Sequence, residues 1–398
     1  MADDDDDTNP FSGIPFLGDI ASILGSGSET RWDGARQTAV HLATGGRSEP
    51  NVDPVQRHRL GEIVRVAELH VANVTGLDPT TDGRPPRTDP VTRSMWANDA
   101  VDAIRPLMDR LADRLSAGED TGTPSLDPFE GLLRMISPMM VAMSAGMMAG
   151  QLATRALGNS DLAVPRWHDV IRIIPSNITD FALEWSLEVD DVTLWVAIRE
   201  HAMHSVLSVP GVHAELDGLL HDYVDGFHRS VRSLEELASL DALDMTSLDL
   251  STPESTDQMH RQLQQIFGNP ELLLGVSRDD AQSETVARLE TLLSVLVAYV
   301  DDVIEQAGSR LIGGFPALRE ALRRRQVAAK GEEFADRLLG VRISPDARHK
   351  GRAFVAGVIE RAGRESLAHM WETQKALPTP NDMLAPGLWL ARIDIEQP

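Results

Sequence analysis

The sequence contains no cysteine. Disulfide bonds, thiolate zinc sites and a cysteine nucleophile are therefore excluded. Basic residues are also scarce, because 37 lysines and arginines stand against 61 aspartates and glutamates and give a formal net charge of -24. A surface that binds nucleic acid must neutralise phosphates, so this charge balance argues against a general nucleic-acid-binding protein.

Common nucleotide-binding and serine-hydrolase motifs are missing as well. The sequence has no GxGxxG, no GxxxxGK[ST] and no GxSxG stretch, so nucleotide binding has no support. Ser205 and Ser208 lie near His201 and His204 in the sequence. A Ser/His/Asp triad can be assembled from residues that are distant in sequence. A metal-free hydrolase therefore stays an alternative hypothesis, although no motif supports it.

The N-terminal segment lacks the features of a targeting sequence. MADDDDDTNPF contains neither a basic n-region nor an apolar h-region, so it is not typical of a signal peptide. The block Asp3–Asp7 repels itself and favours disorder. We expect residues 1–30 to form an acidic, disordered segment and the protein to be cytoplasmic.

One long stretch lacks charge altogether. Residues 135–154 read MISPMMVAMSAGMMAGQLAT and form a candidate membrane span. Their hydrophobicity comes from Met, Ala and Gly rather than from Leu, Ile and Phe, and Pro138 interrupts them. Gly146 and Gly150 form a small-xxx-small pair. We therefore expect a buried, closely packed helix and no membrane span.

Apolar residues recur mostly at helical spacing, and strand signals are sparse. We predict a mainly α fold, a multi-helical domain with few or no strands that occupies residues 31–396. Residues 240–257 are polar and are the best candidate for a mobile insertion. The residue pattern is helical at 32–75, 94–115, 191–208, 279–307 and 345–364. At 171–185 we predict one or two short strands or an extended linker. Arg323, Arg324 and Arg325 are expected to lie at a solvated helix end.

The stretch with the most chemical information is 190–211, DDVTLWVAIREHAMHSVLSVPG. At 100° per residue, Arg199 and Met203 lie in the middle of an otherwise apolar stripe, and the other faces are apolar as well. A buried guanidinium keeps its proton and needs carboxylate or carbonyl partners. We expect Arg199 to pair with Glu200, Asp301 or Asp302.

Segments along nearly the whole chain resemble one family. They are NPFSGIPFLGDI, NVDPVQRHRLGEIVRVAELHVANVTGL, RALGNSDL, IPSNITDFALEWSLEVDDVTLWVAIRE, LVAYVDDVIEQAGSRLIGGFPALREALRRR, FADRLLGVRIS, AFVAGVIERAGRESLAHMWE and LPTPNDMLAPGLWLARID. In this order they resemble the actinobacterial zincin-like family of zinc-dependent metalloproteases, hydrolases of which some members are linked to biosynthesis of the deazaflavin redox coenzyme. An agreement of this length is far more specific than a short motif.

The resemblance implies where a zinc site would be. Members carry H-E-x-x-H, which puts two zinc-binding histidines on one helix face with a general base beside the first. The histidine positions correspond to Arg199 and Met203, the general base to Glu200, and an acidic third ligand to Val297. The resemblance therefore implies a degenerate motif in this chain.

None of the three replacements suits zinc. Arginine has no lone pair to donate, a methionine thioether suits copper(I), and valine has no donor atom. Without a metal-bound water, Glu200 loses the nucleophile that it would activate. We therefore expect no cofactor and a pseudoenzyme that acts as a scaffold or regulator with an unidentified protein or peptide partner.

A relocated metal site is the alternative. Five of the twelve histidines lie in one region, at His201, His204, His213, His221 and His228. Glu200 and His204 are four residues apart and share a helix face. In this alternative the protein is an active zinc-dependent hydrolase, in which Glu200, His204 and His201 hold the metal. Measuring zinc in the purified protein separates the two hypotheses.

Overall fold

The computed structural model describes residues 28–77, 86–117, 128–162, 164, 170–227, 280–328 and 343–396. The first half contains the helices α1 (Ser28–Thr44), α2 (Pro54–Thr75), α3 (Arg93–Ala117) and α4 (Pro128–Ala153), and the strands β1 (Arg87–Pro90) and β2 (Val170–Ile173). The second half contains α5 (Pro175–Glu184), α6 (Val189–Leu207), α7 (Pro210–Asp225), α8 (Asp280–Gly308), α9 (Phe315–Ala328), α10 (Pro345–Ala362) and α11 (Pro386–Glu396). The prediction of a mainly α fold is confirmed.

The uncharged stretch forms most of α4, which packs against α1. An ideal Cβ atom at Gly146 would lie 2.3 Å from the carbonyl oxygen of Ala35, and one at Gly150 would lie 2.7 Å from that of Ala39. Only glycine at these positions allows the two helices to approach so closely. The prediction of a buried, closely packed helix is confirmed. In the part of the chain that the structure describes, no helix is long and apolar enough to cross a membrane.

Helix α6 lies at the centre of the packing. It contacts α2, α5, α7 and α8 as well as β2. Asp190 and Asp191 lie in its first turn, where negative charge stabilises a helix N-terminus. Asp191 also accepts a hydrogen bond of 2.9 Å from the Gly314 amide. This helix therefore has a fixed position, which sets the direction of the side chains that it carries.

A small sheet brings a loop onto α6. Strands β1 and β2 pair in parallel, with Thr88 opposite Ile171. At the end of β2, Gly158 forms an antiparallel bridge with Ile173, and the Ile174 amide donates to the Leu157 carbonyl at 3.0 Å. Residues 157–161, called the 157–161 loop below, are thereby held beside α6.

The arginine triplet divides between the surface and the interior. Arg323 and Arg324 are exposed and pair with Glu320, as expected for a solvated helix end. Arg325 is half-buried, donates to the Arg155 carbonyl oxygen and lies over the ring of Phe181. The prediction is therefore wrong for Arg325, because α9 packs with this side chain facing inward.

Two sequence predictions fall on residues outside those described. The acidic segment has described residues only from Ser28, and the candidate insertion 240–257 lies entirely outside the described residues. The boundaries 31–396 of a single domain stay a prediction.

Candidate functional site

Arg199 lies in an ion cluster between α6 and the 157–161 loop. Its Nη1 atom donates to Asp161 Oδ1 at 3.0 Å and lies 3.5 Å from Glu200 Oε1. The guanidinium is 5.7 Å from the ring centroid of Trp195, within the range of a cation–π contact. Its side chain is 20% exposed, so the charge is largely removed from water.

Glu200 faces the same loop and is 2% exposed. Its Oε2 atom accepts hydrogen bonds from the Ser160 amide at 2.8 Å and from the Ser160 hydroxyl at 2.9 Å. Among the described residues, its Oε1 atom has no hydrogen-bond partner and lies 3.5 Å from Arg199 Nη1. An ideal Cβ at Gly158 would lie 2.5 Å from Glu200 Cδ, so the close approach of the loop requires glycine there.

Asp161 holds the loop in shape while it pairs with Arg199. Its Oδ2 atom accepts from the Leu157 amide at 2.6 Å and from the Gly158 amide at 3.1 Å. One carboxylate therefore satisfies two backbone donors of the loop and one guanidinium of α6. Charge-assisted bonds of this kind are stronger than bonds between neutral groups.

The two carboxyl groups of the cluster differ in their electrostatics. Burial raises the pKa of Glu200 to about 7, although Arg199 and the Ser160 donors oppose this effect. Burial would also raise the pKa of Asp161, but Arg199, Arg325 and the Leu157 and Gly158 amides outweigh it and lower the pKa. Asp161 is therefore the permanent anion of the cluster, and Glu200 changes charge near neutral pH.

His201 is buried on another side of α6. Its Nε2 atom lies 3.1 Å from the Thr88 hydroxyl of β1. Burial, with a smaller effect of His204, lowers the pKa of His201 to about 4. The ring is thus neutral at pH 7 and links α6 to the small sheet, while His204 is half-buried.

At Met203 and Val297, the other two positions where the family resemblance implies ligands, the side chains are not zinc ligands. Met203 is partly buried and packs against the hydrophobic core. Val297 is half-buried on α8, which packs against α6. A zinc ion needs imidazole, thiolate or carboxylate donors, and a permanent cation occupies the first of the expected positions. The donor set Arg199, Met203 and Val297 therefore does not fit zinc.

Clusters of potential ligands are also absent from the described residues. No group of three or more His, Asp or Glu side chains in these ranges is placed to hold a metal ion. Glu200 and His201, which the alternative site requires, are engaged with Ser160 and Thr88 respectively.

Sequence reasoning found one half of the ion cluster and missed the other. Glu200 lies close to Arg199 as expected, and Asp301 adds an attractive charge, but Asp302 pairs with Arg364 instead. The principal partner, Asp161, was not predicted, nor was Ser160. The available signal was the GNSD stretch, in which a glycine is followed by short polar residues that favour tight turns.

The fold and the site define a mainly helical protein whose central helix carries a buried glutamate beside a largely buried arginine. Residues 31–390 match the model of the zincin-like metallopeptidase family. Since the match covers most of the chain, the protein belongs to this family. The sequence matches no protein among the curated proteins compared with it.

A solved structure has a similar fold. It is the crystal structure of "a putative hydrolase with a novel fold" from Chloroflexus aurantiacus, with a TM-score of 0.58 and 20% sequence identity. The similarity covers 91% of this chain and 98% of that chain. At this identity the similarity concerns the fold alone.

Proposed function

We propose that this protein is a zincin-like family member that binds no zinc on α6 and does not hydrolyse peptides by the zinc mechanism. It retains the fold as a scaffold or regulator that binds a protein or peptide. The observation that carries the proposal is the pairing of Arg199 with Asp161 and Glu200, at the position where the family resemblance implies the first metal-binding histidine.

Electrostatics support this proposal. A guanidinium cannot lose its proton in a protein, so the charge at position 199 is permanent. It would repel a divalent cation 4–5 Å away by several kcal/mol (per unit charge, roughly 3–4 kcal/mol at an effective dielectric constant of about 20). Both oxygens of Asp161 already accept hydrogen bonds, Oδ1 from Arg199 and Oδ2 from two loop amides, so Asp161 would have to give up these bonds to act as a substitute ligand.

Metal analysis of the purified protein tests the proposal. We expect far less than one zinc per chain after purification without chelator, and no zinc-dependent peptidase activity. Stoichiometric zinc in the wild-type protein would overturn the proposal. It would then favour the alternative, an active hydrolase that uses Glu200, His204 and His201.

Restoring ligands provides the complementary experiment. The triple variant Arg199→His, Met203→His, Val297→Glu supplies the three donors that the family resemblance implies, and we expect it to bind zinc far more tightly than the wild type. Glu62→His is the matched control, because it creates an exposed i,i+4 pair with His58 on α2 and tests generic binding by two surface histidines. Equal zinc affinity of the triple variant and this control would contradict the assignment of the ligand positions.

A further inference from the structure

We propose that Arg199, Asp161 and Glu200 form a metal-independent clamp, which holds the 157–161 loop on α6. At a metal centre, bonds from the ligands to the metal hold separate segments of the chain together. In this chain the clamp has that role for the loop and α6. The inference rests on the proposed absence of zinc from α6, and it adds a positive role for the residues found there.

The clamp has two attachment points. At the first, Asp161 bonds to Arg199 of α6 with one oxygen and to the Leu157 and Gly158 amides with the other. At the second, Glu200 accepts both donors of Ser160. At the first point the loop therefore supplies the anion that pairs with Arg199. At the second it supplies the hydrogen-bond donors that Glu200 accepts.

The two attachment points depend on each other. Arg199 lies between the carboxylates and attracts both, so it offsets the repulsion that Asp161 and Glu200 would otherwise exert on one another. Arg325 of α9 adds a second positive charge that acts on Asp161. Without Arg199, Asp161 and Glu200 would lie close together without the guanidinium that contacts both of them, an arrangement that costs free energy.

The backbone around the clamp is built for close contact. Gly158 is packed on the Glu200 side chain with no room for a Cβ atom. Leu157 and Gly158 are also joined to the end of β2 by backbone contacts. The loop thus adds a connection between the small sheet and α6, and the clamp holds the α6 end of that connection.

Residue-resolved amide hydrogen exchange tests the clamp, because three loop amides report on it directly. These are the amides of Leu157, Gly158 and Ser160. The decisive variant is Arg199→Met, since Arg199 touches none of these amides. We expect their exchange to accelerate by roughly tenfold or more, the effect of losing a charge-assisted contact on a local opening. Asp161→Asn should act in the same direction.

Asp382→Asn is a matched control. Asp382 also accepts a backbone amide, that of Thr379, together with a guanidinium, that of Arg392. It lies in a short 3-10 turn, Asp382–Leu384, near the C-terminal end of the chain. This variant should leave the three loop amides as in the wild type. If Asp161→Asn accelerates them and Arg199→Met does not, Asp161 is only a local cap of the loop, and the clamp is disproved.

A measurement on the wild-type protein keeps the test decisive if Arg199→Met does not fold. We expect a strong zinc chelator to leave the exchange of the three amides unchanged. Faster exchange after chelation would mean that a metal holds the loop, which overturns the clamp. The zinc content of the same sample decides the proposed function separately, so the two failures are distinguishable.

Discussion

At the scale of single residues, Glu200 combines near-complete burial with a pKa of about 7. A carboxyl group whose pKa is higher in the folded than in the unfolded state stabilises the fold at low pH. That stabilisation is fully present below the unfolded pKa, near 4.5, and is lost as the pH rises through about 7. Between pH 5 and pH 8, ionisation of this residue should therefore cost stability.

Glu200→Gln tests this dependence. Glutamine keeps an acceptor oxygen for Ser160 and cannot ionise. We expect the stability of the wild type relative to the variant to fall between pH 5 and pH 8 by up to about 3 kcal/mol, following from the pKa shift. Urea unfolding at each pH measures this difference. The control is Glu184→Gln, which changes an exposed carboxylate of α5; if both variants follow the same pH curve, Glu200 is not responsible.

The sequence alone predicted the importance of Arg199 on α6 but not its partner in the loop. The helical period placed Arg199 on a buried stripe, and burial required an anion nearby. The helical period could not identify Asp161, which lies 38 positions from Arg199 in the sequence. That pairing depends on how the 157–161 loop turns back at the end of β2, and no periodic pattern predicts such a loop.

At the scale of elements, the contact of α1 with α4 depends on two glycines. The carbonyl of Ala35 is backbone and cannot move aside for a new methyl group at position 146. We expect Gly146→Ala to lower the free energy of unfolding by about 1–3 kcal/mol, a typical cost of overpacking. Chemical denaturation followed by circular dichroism measures the loss.

Gly218→Ala is the appropriate control for that variant. Gly218 lies within α7, and a Cβ atom there would meet no other atom within 4 Å. Alanine is the better helix former, so this change should stabilise the protein by roughly 0.5–1 kcal/mol. If Gly146→Ala were also neutral or stabilising, the close approach of α1 and α4 would not be rigid.

The sequence predicted the positions of most helices, but it did not predict the breaks between neighbouring helices. The predicted helix 191–208 is observed at Val189–Leu207, and 279–307 at Asp280–Gly308. The helical pattern of 32–75 is broken into α1 and α2, with Gly45 and Gly46 in left-handed conformation at the break. The prediction of short strands or a linker at 171–185 is wrong for most of this stretch, because only its first residues belong to β2 and Pro175–Glu184 forms α5, with Pro175 at its first turn.

At the scale of the whole molecule, the dominant property is the net charge of -24. An excess of one sign destabilises a compact state by self-repulsion, and salt screens that repulsion. We expect the melting temperature to rise by roughly 1–2 °C between 0.05 and 0.5 M sodium chloride, as for a stabilisation of about 1 kcal/mol in a chain of 398 residues. Differential scanning calorimetry at constant pH measures the shift.

A fall in melting temperature would contradict this expectation. It would mean that the many exposed Arg–Asp and Arg–Glu pairs, such as Arg36 with Asp102 and Arg105 with Glu29, contribute more than the general repulsion costs. Ammonium sulfate is unsuitable for this comparison because it also strengthens apolar burial.

The pairing of Arg199 with Asp161 also limits which single mutations the chain tolerates. Histidine alone at position 199 would leave the largely buried carboxylate of Asp161 without the guanidinium that donates to it, at a cost of about 1–3 kcal/mol. Neutralising Asp161 alone would leave the guanidinium in the same position. A mutational path to a metal-binding α6 therefore lowers stability at the step that replaces Arg199. The ion pair thus disfavours the single change Arg199→His, independent of whether zinc is available.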